Sequence, residues 1–131
     1  MTGAPDSPAE CLAAFEAALA EADLDAAMAL LTDDVVFFYS NGSAHFGRDA
    51  IRAAIQANFD SIQDDDYATR DHLWLAQSDA AAVCIYSFAW TGTMDGKPVG
   101  GRGRGTTVFR REASGWRIAH EHLSQGRWKP K

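Results

Sequence analysis

The chain has 131 residues, is 47% hydrophobic, and carries a formal net charge of −6 with a sequence pI of about 5.0. That length sets one domain around one core as the expectation, and the acidic balance argues against nucleic acid or an anionic membrane as partner. No apolar run is long enough to span a bilayer, and residues 1–7 lack the basic start and apolar centre of a secretory leader, so a cytoplasmic protein is expected.

Ser7-Pro8-Ala9-Glu10 reads as a helix start, with Ser7 as cap, Pro8 at the first helical position and Glu10 completing a capping box. Leu12, Phe15 and Leu19 recur at helical spacing, which predicts a first helix over 8–22. Asp23 caps a shorter second helix whose buried stripe is Leu24, Met28 and Leu31. Residues 35–39, Val-Val-Phe-Phe-Tyr, form a strand, and Asn41-Gly42-Ser43 a turn. Ile51, Ile55, Phe59 and Ile62 line one face of a third helix over 49–62, which ends in a solvated loop at Asp64-Asp65-Asp66. Strands follow at 67–77, 81–94, 97–111 and 116–124, and residues 125–131 read as a loose polar tail. Cys11 and Cys84 occupy apolar positions and read as reduced core thiols, not as a disulfide framework. The segregation of helices from strands is an α+β architecture.

Asp95-Gly96 is a two-residue hairpin signal, and it sets the register of the strands on either side. Trp90, Phe88 and Tyr86 then face Gly101, Gly103 and Gly105, while Ser87 meets Arg104 and Ala89 meets Arg102 on the other face. Aromatic rings covering missing side chains let a sheet bend. In the last strand Trp116, Ile118, His120 and His122 alternate with Arg117, Ala119, Glu121 and Leu123. Which set faces the aromatic rings depends on loop length, and a β-bulge would exchange the outcomes.

His120 and His122 lie on one strand face, about 6.5–7 Å apart. Three readings stand for them: a general base acting on a bound small molecule, a metal-binding pair, or hydrogen bonding between strands. His45 and His72 are unplaced as third ligands, and neither a metal nor a cofactor is expected. Arg104, deeper in its strand than Arg102, suits the grip of a carboxylate or enolate oxygen. Tyr39, Trp74, Tyr86 and Trp90 can wall a pocket and present polar tips. No serine or cysteine sits in a recognisable nucleophile motif.

The order of elements, Phe38-Tyr39 before a turn, the helix start Gly47-Arg48-Asp49-Ala50-Ile51, and the ending Arg104-Gly105-Thr106-Thr107-Val108-Phe109-Arg110-Arg111 with Gly115 to Ser124 resemble the nuclear transport factor 2-like superfamily and its SnoaL-like members. The last stretch is also similar to the association domain of calcium/calmodulin-dependent protein kinase II. The resemblance covers about residues 8–124. It implies a cone, a curled antiparallel sheet wrapped on three helices with a pocket at the open end, and a homodimer packed through the outer sheet face.

Departures from these families matter. The slot of the ketosteroid isomerase aspartate falls on Phe38 or Tyr39, so that proton-shuttling carboxylate is missing. The arginines of the kinase association domain align with Thr107 and Leu123, and its strand histidine with Trp74, whereas His120 and His122 match. The sequence therefore leads to a small-molecule-binding protein acting on a small anionic or aromatic compound. In its enzymatic form it is an acid–base isomerase, cyclase or lyase with His120 or His122 as base, Arg104 as anion stabiliser and Tyr39 as hydrogen-bond donor. The alternative is a non-catalytic association or ligand-sensing module. The expected partners are a small ligand and a second copy of the chain.

Overall fold

Each of the first two helices begins where the sequence offers a cap. The computed structural model describes residues 4–126. Helix α1 (Pro8–Ala20) is capped by Ser7, whose hydroxyl accepts from the Glu10 N–H at 3.1 Å. The Glu10 carboxylate returns the contact one residue further out, on the Asp6 N–H. Asp23 caps α2 (Leu24–Ala29) through the Ala26 N–H. Helix α3 (Arg48–Ser61) starts after Gly47, whose φ of 87° is open to glycine at little cost.

The strands are β1 (Leu31–Phe38), β2 (Ala44–Phe46), β3 (Gln63–Gln77), β4 (Ala81–Met94), β5 (Lys97–Glu112) and β6 (Gly115–Gln125). They form a single sheet in the order β2-β1-β6-β5-β4-β3, antiparallel except where β1 runs parallel to β6. The architecture is α+β, a cone-shaped sheet curled around three helices. Among the described residues no helix is long and apolar enough to cross a membrane.

The β4–β5 hairpin pairs as expected from its turn: Trp90 with Gly101, Phe88 with Gly103, Tyr86 with Gly105. Asp95 and Gly96 both have positive φ, 52° and 75°, as a twist-matched two-residue turn requires. A Cβ on Gly105 would stand 2.3 Å from the Tyr86 ring, so the ring occupies the missing side chain's place.

Several expectations are corrected. Leu31 is buried, but as the first residue of β1 and not as part of α2. Residues 44–46 form the extra strand β2, where the His45 ring packs against Tyr39 at a tilt of 55°. Asp64, Asp65 and Asp66 are not a loop; they open β3, with Asp64 in a bulge at φ 55°. A second bulge lies at Asp71, φ 59°, and the register shifts again between Trp74 and Ala76. Aspartate tolerates the left-handed region better than most residues, and these bulges add local bend and twist to β3. Gln125 closes β6 opposite Gly103, while residues 127–131 of the expected tail lie outside the described residues.

The core lies between the concave sheet face and the helices. Cys11, Leu12 and Phe15 of α1, with Ile51 and Ile55 of α3, pack against Phe37, Phe88, Phe109 and Ile118. Both cysteines are free and buried, and burial pushes the Cys11 thiol up to about 12.

Candidate functional site

One irregularity in β6 decides which of its residues face the cone. The β5–β6 turn is two residues long, with Glu112 opposite Gly115, so Trp116 and Ile118 point inward and are buried. Between Phe109–Ile118 and Val108–His120 the register slips by one residue, leaving Ala119 as a bulge. From there the parity reverses: Glu121 and Leu123 turn inward, and His120 and His122 turn outward. An unbroken ladder would have put both histidines inside.

The cone holds a cavity of about 530 Å³. Phe15 and Leu19 come to it from α1, Ile55 and Phe59 from α3, Phe88 and Trp90 from β4. Tyr39, Tyr67 and Glu121 bring the polar atoms to this apolar wall. The exposed Asn41, Asn58, Asp65, Arg102 and Gln125 ring its mouth.

Glu121 is 7% exposed. The Tyr86 hydroxyl donates to its Oε1 at 3.2 Å and lies 2.8 Å from the Thr107 hydroxyl. Burial pushes the Glu121 carboxyl up to about 7; the Tyr86 bond opposes this, and the charge of Glu16 adds to it. Burial and the Glu121 charge also raise Tyr39 and Tyr67, so both remain protonated phenols, able to donate. At the mouth, partial burial and the neighbouring Asp66 raise Asp65. A half-ionised carboxyl among neutral phenols in an apolar cavity can take a proton from a bound molecule and return it.

Of the residues expected in the pocket, Tyr39 and Trp90 line this cavity. Tyr86 is buried behind its wall, its hydroxyl engaged with Glu121 and Thr107. Trp74 packs on Phe109, ring centroids 5.5 Å apart, away from the cavity lining. The sequence left the face of His120 and His122 open; the bulge at Ala119 puts them on the outer face, where the hairpin register had already placed Arg104. There His120 Nδ1 meets the Val36 carbonyl at 2.8 Å, and both imidazoles pack edge-on against Phe38. His122 and Arg104 border an outer cavity of about 450 Å³, together with Tyr86, Ile85, Thr106 and Ser124. Among the described residues no group of three His, Cys, Asp or Glu side chains is placed to hold a metal ion.

Reading the residues missed Glu121. The available signal was the pair Ile118-Ala119, where a small residue follows a buried one and a bulge can form, but the alternation of the strand concealed it. Arg110, beside the last turn, pairs with Asp34 and holds that carboxyl below its usual range.

A family model described as SnoaL-like domain matches residues 9–127. No curated protein matches the sequence. Solved structures of the same shape include a proposed aromatic ring hydroxylase from Novosphingobium aromaticivorans. It is 20% identical at a TM-score of 0.84, over 92% of this chain and 87% of that one. A nuclear transport factor 2-like superfamily protein from Salmonella enterica is 18% identical at 0.80, over 92% and 89% of the two chains. A proposed calcium/calmodulin-dependent protein kinase II association domain from Xanthomonas campestris is 21% identical at 0.77, over 95% and 93%. At these identities the likeness is one of fold. With 9–127 matched by its model, the chain belongs to the SnoaL-like domain family, and it shares the fold of the nuclear transport factor 2-like protein.

Proposed function

We propose that the protein binds a neutral aromatic or alicyclic compound in the cone and moves a proton on it, with Glu121 as base and then acid. The observation that carries this reading is a single carboxyl, buried in an apolar cavity and poised near neutrality. The ionised Glu121 would remove a proton from a carbon next to a carbonyl. The electron pair would move onto the carbonyl oxygen as an enolate, stabilised by a hydrogen bond from the Tyr39 phenol. Return of the proton to another carbon is isomerisation; loss of a leaving group or attack on a second carbonyl gives lyase or cyclase chemistry.

Of the two ligand classes the sequence left open, the lining favours the aromatic one over the anionic. Glu121 inside would repel an anion, the charges of Asp65 and Arg102 in the lining are opposite in sign, and Arg104 lies on the other face. The test is proton exchange into bound aromatic ketones and phenols in D2O, followed by NMR. Glu121→Gln should slow exchange by about 100-fold or more, the usual worth of a positioned base. Exchange that survives in this variant and disappears in His120→Ala/His122→Ala would overturn the assignment.

We also propose a homodimer through the outer sheet face. In support, Phe46 is 66% exposed and Leu73 50%, beside the half-buried Phe38 and Ile85. A monomer mass by light scattering at micromolar concentration would count against it. The same surface supports the second reading, a non-catalytic association or sensing module. That reading is preferred if compounds bind in the cone but no exchange occurs.

A further inference from the structure

We infer that Tyr86 and Thr107 are positioning residues for Glu121, forming a directed chain of hydroxyls that holds one carboxylate oxygen and leaves the other for the ligand. The inference rests on the proposed role of Glu121. The three residues come from three adjacent strands: Thr107 lies directly opposite Glu121 on β5, and Tyr86 reaches across from β4. Tyr86 and Thr107 are each 1% exposed, so no bulk water competes for their hydroxyls.

Donor accounting sets the direction. An ionised carboxylate only accepts, so the single Tyr86 proton goes to Glu121 Oε1, and the Tyr86 oxygen accepts from the Thr107 hydroxyl 2.8 Å away. Glu121 lines the cavity, which makes Oε2 the oxygen presented to a bound molecule. The Tyr86 ring lies over Gly105, in the space of the side chain that Gly105 lacks.

The surroundings of Glu121 divide into opposing influences. Glu16 from α1 disfavours its charge, while Tyr39 after β1 and Tyr67 on β3 are neutral phenols coupled to it. From α3 the uncharged Asn58 reaches the cavity; β5 offers Thr107, which does not titrate, and Arg102, and β3 brings Asp65 to the lining. The chain ending in Tyr86 thus supplies the contact that favours the carboxylate, and without it burial and Glu16 act unopposed.

The experiment is titration of the Glu121 side-chain carboxyl by carbon-13 NMR in the ligand-free protein, its resonance identified by its loss in Glu121→Gln. Tyr86→Phe keeps the ring over Gly105 and should raise the midpoint by roughly one pH unit. Thr107→Val, of the same shape, should raise it by less. In the exchange assay, the pH profile of kcat/KM in Tyr86→Phe, which reports the free protein, should move up by the same amount. A midpoint unmoved or lowered in Tyr86→Phe overturns the inference even if Glu121 proves to be the base. A raised midpoint in a protein that neither binds nor exchanges any compound supports the positioning chain and counts instead against the proposed function.

Discussion

The two faces of β6 differ more than their sequence suggests. Glu121 and His122 are neighbours in the chain. Glu121 lies in an apolar cavity against Tyr86, while His122 stands exposed on the outer face beside Phe38 and Arg104. The outer face carries more of the residue types associated with catalysis, and the inner face carries one carboxyl. Desolvation changes what a group can do, and only the inner face supplies it. A list of ionisable residues is therefore a poor guide to a site unless the face of each is known.

The comparison breaks most completely if the parity of β6 is reversed after Ile118. Deleting Ala119 alone removes the extra residue of the bulge and keeps both faces, whereas deleting Ala119 and His120 together should turn His122 inward and expel Glu121 and Leu123. The expected cost of the double deletion is more than about 4 kcal/mol, beyond the range of ordinary substitutions. Urea unfolding, or failure to recover soluble protein, measures it. A double-deletion variant as stable as the parent would mean that the register of β6 does not set the faces.

Next in size is a pH dependence confined to the inner face. The Glu121 carboxyl has an ordinary value of 4.5 and a folded value of about 7, so the folded state binds more protons than the unfolded one between these. Its contribution is fully present below pH 4.5 and is lost as pH rises through 7, a decline of about 3 kcal/mol. Glu121→Gln lacks this decline. The stability difference between parent and variant, measured by urea unfolding from pH 4.5 to 8, should change by that amount, and a flat difference would contradict the burial of the charge.

On the outer face the effects should be smaller. His120→Ala loses the contact with the Val36 carbonyl and should cost about 1 kcal/mol, typical of one hydrogen bond. Ligand affinity in the cone, by isothermal titration, should stay within about twofold, because the site lies on the other side of the sheet. A tenfold loss would tie the two faces together.

The smallest effect belongs to the exposed pair of Asp34 and Arg110. Asp34→Asn should cost less than about 1 kcal/mol at neutral pH. Because Arg110 lowers the folded value of Asp34, that contribution is present above its ordinary value of 3.8 and lost as pH falls below it. Thermal unfolding at pH 7 and at pH 2.5 would show the difference between parent and variant closing.

Much of the fold was legible because its signals are local. Ser7 and Asp23 cap the helices they were expected to cap, and Asp95-Gly96 sets the whole β4–β5 register. Strand β2 was not legible, since three residues carry no periodicity and owe their state to pairing with β1. Nor were the aspartates at the head of β3, where polar composition resembles a loop and the ladder with β4 prevails. Of the site, Tyr39 and Trp90 could be read in advance, the one at a strand end and the other in a fixed register. Glu121 could not.

By itself the sequence determined the order of elements, the glycine-backed aromatic wall and the α+β cone, because caps, tight turns and hydrophobic period act between near neighbours. The tertiary structure decided which side of the last strand faces the cavity. Both registers satisfy the local preferences of Ile118-Ala119-His120. The choice depends on what is buried against the helices: in the bulged register the inner positions go to Glu121, met by Tyr86 from β4, and to Leu123.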